Sequence, residues 1–228
     1  HDGVLFKEEL TQAEFESQGY SFKDGDSYYL AETMEFAKDL VIEGTVKLCT
    51  NGHLVKCYRM CLAPGAKLTL CDCTGDGELL FYFHEEPIIV GADNEFHFYG
   101  GSLNITNSEY AILNQGTMSL GWKARLASVH GGVAVKQEGT FLFSGIPLVE
   151  SSGANFWLAK DRVITIAGNI ADDVWYTVET EDTELPIVFT SGWSTYEANT
   201  KVYPFIHNNL GVQKSDGGEL QLREYRDI

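Results

Sequence analysis

The sequence predicts an all-β chain wound into a right-handed parallel β-helix, on three observations. Short apolar alternations replace helical periodicity after the first forty or so residues, they recur at a nearly constant step, and two such series run in phase. The final apolar residue of one strand series falls at Leu48, Leu70, Phe98, Leu120, Phe143 and Ile166, in steps of 22, 28, 22, 23 and 23 residues. A second series passes through Leu40, Leu62, Val90, Leu113, Val135 and Leu158, in steps of 22, 28, 23, 22 and 23. Two ladders per coil of 22 to 23 residues, with room for a third short strand, describe a coil that stacks on copies of itself. A leucine-rich repeat has a similar period, but its LxxLxLxxN pattern is missing, and a β-sandwich has no need of a constant step.

In chain order, residues 1–27 read as an N-terminal cap, in which KEELTQAEFESQ (7–18) forms a short helix or irregular cover over the first coil. Residues 28–171 form the regular coils. Period-2 alternation turns Val46 and Leu48, Leu68 and Leu70, Phe96 and Phe98, Met118 and Leu120, and Phe141 and Phe143 inward. The same alternation turns Lys47, Thr69, His97, Ser119 and Leu142 outward. The long step shared by both series places an insertion of about six residues around GDGELLFYFHEEP (75–87). Residues 172–228 keep strand-like runs but lose the step, as C-terminal coils and a closing cap would. One domain of 228 residues is long enough to bury a sizeable core.

With 16 Lys and Arg against 33 Asp and Glu, the net charge of −17 repels phosphate backbones and anionic membrane surfaces, so no nucleic-acid partner is expected. Acidic polysaccharides would need a local basic patch or a divalent cation. No apolar run approaches the ~20 residues of a membrane-spanning helix, so no membrane insertion is expected. The chain opens on His1 with no initiator Met, which suits a mature chain freed of a secretory leader.

Five cysteines, Cys49, Cys57, Cys61, Cys71 and Cys73, lie in the first third of the chain, and an odd number leaves at least one outside any intrachain disulfide. There is no CxxC pair, and His53 and His84 complete no four-ligand zinc pattern, so neither a metal nor a cofactor is expected. Small buried hydrophobes are the plain reading. A disulfide or two among Cys49, Cys57, Cys61 and Cys73 suits an exported chain, with the connectivity open.

The stretches YYLAETMEFAKDLVIEGTVKLCTNGH (28–53) and APGAKLTLCDCTGDGEL (63–79) resemble the repeat-bearing surface proteins of gut Firmicutes, over about fifty residues. The later coils and PIVFTSGW (186–193) are similar more loosely. Such proteins share the β-helix of the pectate-lyase superfamily, so the resemblance implies an extracellular chain, secreted or attached to the cell wall. It also implies an adhesin-like partner, a host protein such as immunoglobulin or a mucosal glycan. Within the matched motif, Asn51 and Gly52 fit a polar turn, and His53 fits a turn-stabilising position. Cys49 and Cys73 hold the two family cysteine positions, facing one another across adjacent coils, whereas Cys57, Cys61 and Cys71 depart from the pattern.

Candidate binding residues are aromatic. Phe81, Tyr82 and Phe83 follow one another in the insertion, and successive strand residues cannot all face inward. Tyr99 and Trp122 extend such a surface, and exposed aromatics anchor protein and glycan interfaces. Trp157 falls in the inner ladder, and Trp175 and Trp193 are expected beneath the C-terminal cap. Catalysis on a β-helix needs convergent carboxylates, with a base for a lyase or a second acid for a hydrolase. The adjacent acids are Asp72 with Asp76, Glu85 with Glu86, and Asp172 with Asp173, and the bases Arg59, Lys67, Lys123 and Arg125 are scattered. No nucleophile elbow, phosphate loop or zinc helix is present. The expectation is therefore a non-catalytic binding or adhesion module, ahead of a carbohydrate-active lyase or hydrolase and of a structural stalk.

Overall fold

The computed structural model describes residues 6, 8–81, 87–106, 109–129, 132–170, 174–196 and 203–225. They form a parallel β-solenoid of about seven turns, wound with the right hand that parallel crossovers adopt. Its longest sheet has nine strands, running from Glu8–Leu10 through Thr45–Cys49, Lys67–Cys71, Glu95–Phe98, Thr117–Leu120 and Thr140–Gly145 to Thr190–Ser191. A six-stranded second sheet runs from Met34–Glu35 to Leu148–Ser151.

The first strand series predicted from sequence is the register of the nine-stranded sheet. Leu48 pairs with Leu70, and Phe98, Leu120, Phe143 and Ile166 follow in line. All ten residues assigned inward on its strands are buried, as the alternation requires. Stacked rings fill this core: Phe143 lies 4.9 Å from Tyr176 and 5.3 Å from Phe156, edge to face with both.

The second series identifies the right strands of the third face in the wrong register. Leu40 pairs with Met60 rather than Leu62, and the inner ladder beyond it is Ile88, Ile112, Val135, Phe156 and Val178. Leu113 pairs with Lys136 and is only partly buried. The cause is that polar residues hold inward positions here. Asn114 and Gln137 are fully buried and their amide nitrogens are satisfied locally, while Asn114 Oδ1 is left without a partner: Asn114 Nδ2 donates to Gln137 Oε1 at 2.6 Å and to the Thr140 carbonyl at 2.8 Å, and Gln137 Nε2 donates to the Gly139 carbonyl at 2.6 Å.

Of the six extra residues of the long step, two fall in the turn between Cys71 and Glu78 and four between Phe81 and Glu95, and it is at this coil that the third face divides. Ser21–Phe22, Leu40–Ile42 and Met60–Leu62 form one sheet, and the six strands from Ile88–Val90 to Phe205–Ile206 form another, while the other two faces run unbroken through the same coil. Phe81 ends a strand just before the division and is buried in register with Cys57. Tyr82, Phe83, Glu85 and Glu86 lie outside the described residues, as do Asp172 and Asp173.

The ends are irregular, as expected of a capped solenoid. Helix Gln12–Ser17 begins with a capping box between Thr11 and Glu14, and its buried Phe15 stacks 4.6 Å from Phe22. The strand Glu8–Leu10 already pairs with Ser27–Leu30, so the ladder starts inside the segment read as a cap. At the other end, Gly211–Lys214, Leu220–Arg223 and Ile187–Val188 form an antiparallel sheet. Glu219 accepts hydrogen bonds at 3.0 Å from Thr190 Oγ1 and from the Gly192 and Trp193 amides, which holds buried Trp193 over the last coil. Two tryptophans differ from expectation. Trp175 is exposed rather than packed under the cap, and Trp157 faces outward, with Lys136 Nζ 4.9 Å from its ring centroid, because Phe156 and Leu158 take the inward positions. Among the described residues, no helix is long and apolar enough to cross a membrane.

Candidate functional site

On the outer face of the nine-stranded sheet, parallel in-register pairing stacks Thr69, His97, Ser119, Leu142 and Thr165 in a row. Each is the outward residue between two inward apolar ones, so the alternation that builds the core also builds this row. Past the strand ends the chain turns, and Tyr99 and Trp122 emerge on successive coils. A groove of about 410 Å³ lies between them, lined by Phe6, Thr69, Cys71, Asp72, Tyr99, Ser119, Trp122, Leu142, Ser144 and Ala167.

Local sequence explains the groove's shape. Gly121 lies close to the Tyr99 ring, where a Cβ would stand 3.2 Å from Tyr99 Cδ1 and 2.9 Å from Ser144 Oγ, so a larger residue would push on both groove side chains. Trp122 follows in a left-handed turn conformation, with φ 51°, and is 43% exposed. The Tyr99 ring stacks nearly parallel on His97, with centroids 6.1 Å apart. His97 Nδ1 lies 2.9 Å from Ser119 Oγ and His97 Nε2 3.3 Å from Glu95 Oε2, and Glu95 in turn pairs with Lys67 at 2.6 Å. Lys67, followed by His97, holds the Glu95 carboxyl below its ordinary range.

Asp72 stands at the groove's end as a turn anchor. Its carboxylate accepts from Gly52 N at 2.6 Å, Thr50 Oγ1 at 2.9 Å and Thr74 N at 3.2 Å, and also from Gly75 N. Burial opposes its ionisation, but the Gly52 amide and the Thr50 hydroxyl, helped by Gly75 and Gly77, outweigh that and hold the carboxyl below its usual value.

The chain of Ser119, His97 and Glu95 has the residue types of a nucleophilic triad but not its access. Ser119 is 3% exposed, and its strand pairs with both neighbouring coils, so an attacking oxygen has no approach and the flanking amides belong to the ladder. The bases named from sequence are dispersed: Arg59 pairs with Asp39, Lys67 with Glu95 and Arg125 with Glu150. Asp76 lies on an exposed turn and Lys123 is exposed. What the groove offers a ligand is two aromatic faces, a row of hydroxyls and one committed carboxylate.

Of the candidate binding residues, Tyr99 and Trp122 come together at the groove, and buried Phe81 presents no surface to a partner. Thr69, Ser119 and Ser144 were not singled out from sequence, although the in-phase outward positions carry the signal for the first two. The cysteines divide in two. Cys57 joins the core, its thiol pushed up to about 12 by burial, and Cys61 Sγ lies 3.9 Å from Asp39 Oδ2. The sulfurs of Cys49, Cys71 and Cys73 cluster within 4.8 Å of one another, with Cys49 Sγ 2.9 Å from Cys73 Sγ. The Cys71 thiol, then burial, raises Cys49 far above the ordinary thiol range, and burial, then Cys49, pushes Cys73 up to about 11. No protein-family model, curated protein or solved structure matches the chain.

Proposed function

We propose that the chain is a non-catalytic binding module that takes an extended, uncharged glycan in the groove between Tyr99 and Trp122. The observation that carries this reading is the pairing of two aromatic rings with a row of hydroxyls on one rigid face. A sugar ring has an apolar face that packs on an aromatic ring and hydroxyls that exchange hydrogen bonds with Thr69 and Ser144 on the groove wall. Rungs of a parallel sheet repeat about every 4.8 Å along the solenoid axis, so an extended ligand laid along that axis crosses one coil at each step. The net charge of −17 argues against a polyanionic ligand. The setting proposed is extracellular, secreted or wall-attached, where the ligand is a mucosal glycan or the glycan of a host protein.

The test is titration calorimetry against a panel of neutral oligosaccharides, with Trp122→Ala and Tyr99→Ala beside the parent chain. Loss of an aromatic anchor costs about 2 kcal/mol, so each variant is expected to bind roughly thirtyfold more weakly with an unchanged melting temperature. Parent-like affinity in both variants would move the binding face elsewhere. Release of new reducing or unsaturated ends from a bound polysaccharide would replace this reading with a hydrolase or lyase.

A further inference from the structure

The groove leaves the neighbouring thiols unexplained. Cys49 and Cys71 are register partners on adjacent strands, and Cys73 follows Cys71 by two residues. Three sulfurs, each from a different residue, thus meet within 4.8 Å at the edge of a rigid ladder. We propose that Cys49, Cys71 and Cys73 form a three-thiolate site for a soft monovalent metal ion, copper(I).

Donor number and softness select this ion. A metal–sulfur bond of about 2.3 Å places the thiolates of a trigonal site about 4 Å apart, inside the spread these sulfurs already span. The Cys49–Cys73 pair, at 2.9 Å, must open, and Cys73 stands at an exposed position from which its side chain can turn outward. Structural zinc sites close on four protein ligands, and the zinc sites that keep three and a water include histidine, yet among the described residues the cluster contains three thiols and no histidine or carboxylate. Asp72, between two of the cysteines in sequence, is committed to Thr50, Gly52, Thr74 and Gly75. Three soft donors without a fourth suit copper(I). Binding involves no change of oxidation state: each thiol gives its proton to solvent as its sulfur bonds the ion. The spacing concealed the site because its third ligand comes from the preceding coil, 22 residues before Cys71.

The test uses the whole chain, reduced and held without oxygen, titrated with copper(I) against a coloured copper(I) chelator. Retention of one equivalent with a sulfur-to-copper absorption band is expected. Cys73→Ser, at the exposed position, is expected to weaken retention at least about tenfold, and Cys61→Ser, outside the cluster, to leave it unchanged. Circular dichroism checks that both variants stay folded. Retention by Cys73→Ser equal to the parent, zinc bound as tightly as copper(I), or no uptake by the reduced chain would each overturn the proposal. In the last case, mass spectrometry finding a Cys49–Cys73 disulfide in the unreduced protein would assign the pair to a covalent crosslink instead. The outcome is independent of glycan binding, which Trp122→Ala reads separately.

Discussion

Asp72 shows how a single residue's role is set by its surroundings. Its sequence position marked it as a candidate acid, but its oxygens tie Thr50, Gly52, Thr74 and Gly75 into one turn stack between two coils. Because its folded pKa is depressed, its contribution to stability is fully present above the ordinary value of 3.8 and is lost as pH falls through the lower folded value. Asp72→Asn is therefore expected to lower stability by about 2 kcal/mol near neutral pH, with the gap to the parent closing below about pH 4. Urea unfolding midpoints of both chains across that range measure it, and a gap independent of pH would place the effect in shape rather than charge. Asn114 makes the complementary point. A buried polar residue looks like an outward one in sequence, and only its bonds to Gln137 and the Thr140 carbonyl reveal its direction.

At the scale of the elements, legibility followed the contrast between the two sides of each strand. The strands of the nine-stranded sheet alternate apolar and polar residues cleanly, so their register could be read residue by residue. Strands of the third face are short and mix the two sides, as Tyr110–Asn114 does with Ala111, Ile112 and Asn114 all buried, so the strands were legible but their pairing was not. The turns between faces carry a tight constraint of their own. A Cβ on Gly139 would stand 2.2 Å from the Gly116 carbonyl oxygen of the preceding coil, and both lie in backbone with no room to yield. Gly139→Ala is expected to cost about 2–3 kcal/mol. A fall in melting temperature of several degrees checks it, whereas an unchanged melt would show that the coils can part at this corner.

Over the whole molecule, the constant step betrayed the solenoid, since only stacked copies need it, while the groove stayed hidden because its walls come from residues about two dozen positions apart. Stability in such an array is a sum over neighbouring coils, and the divided third face removes one of three ladders from a single interface. Amide exchange is expected to be faster in Met60–Leu62 and Ile88–Val90 than in Lys67–Cys71 and Glu95–Phe98, which join the same coils through the unbroken sheet. Hydrogen-exchange mass spectrometry reads both sets of peptides, and equal protection would mean that the two remaining ladders hold the coil alone.

The same division gives the rod a mechanical direction. A tube seamed along two sides and interrupted on the third resists bending toward its seams and yields about the gap. Load applied along the axis is therefore carried unevenly at that coil, through the sheet whose outer face bears the Tyr99 and Trp122 groove. Any pull on a ligand in the proposed groove would pass into the sheet that runs unbroken from end to end, and the divided side would be left to absorb the flexing.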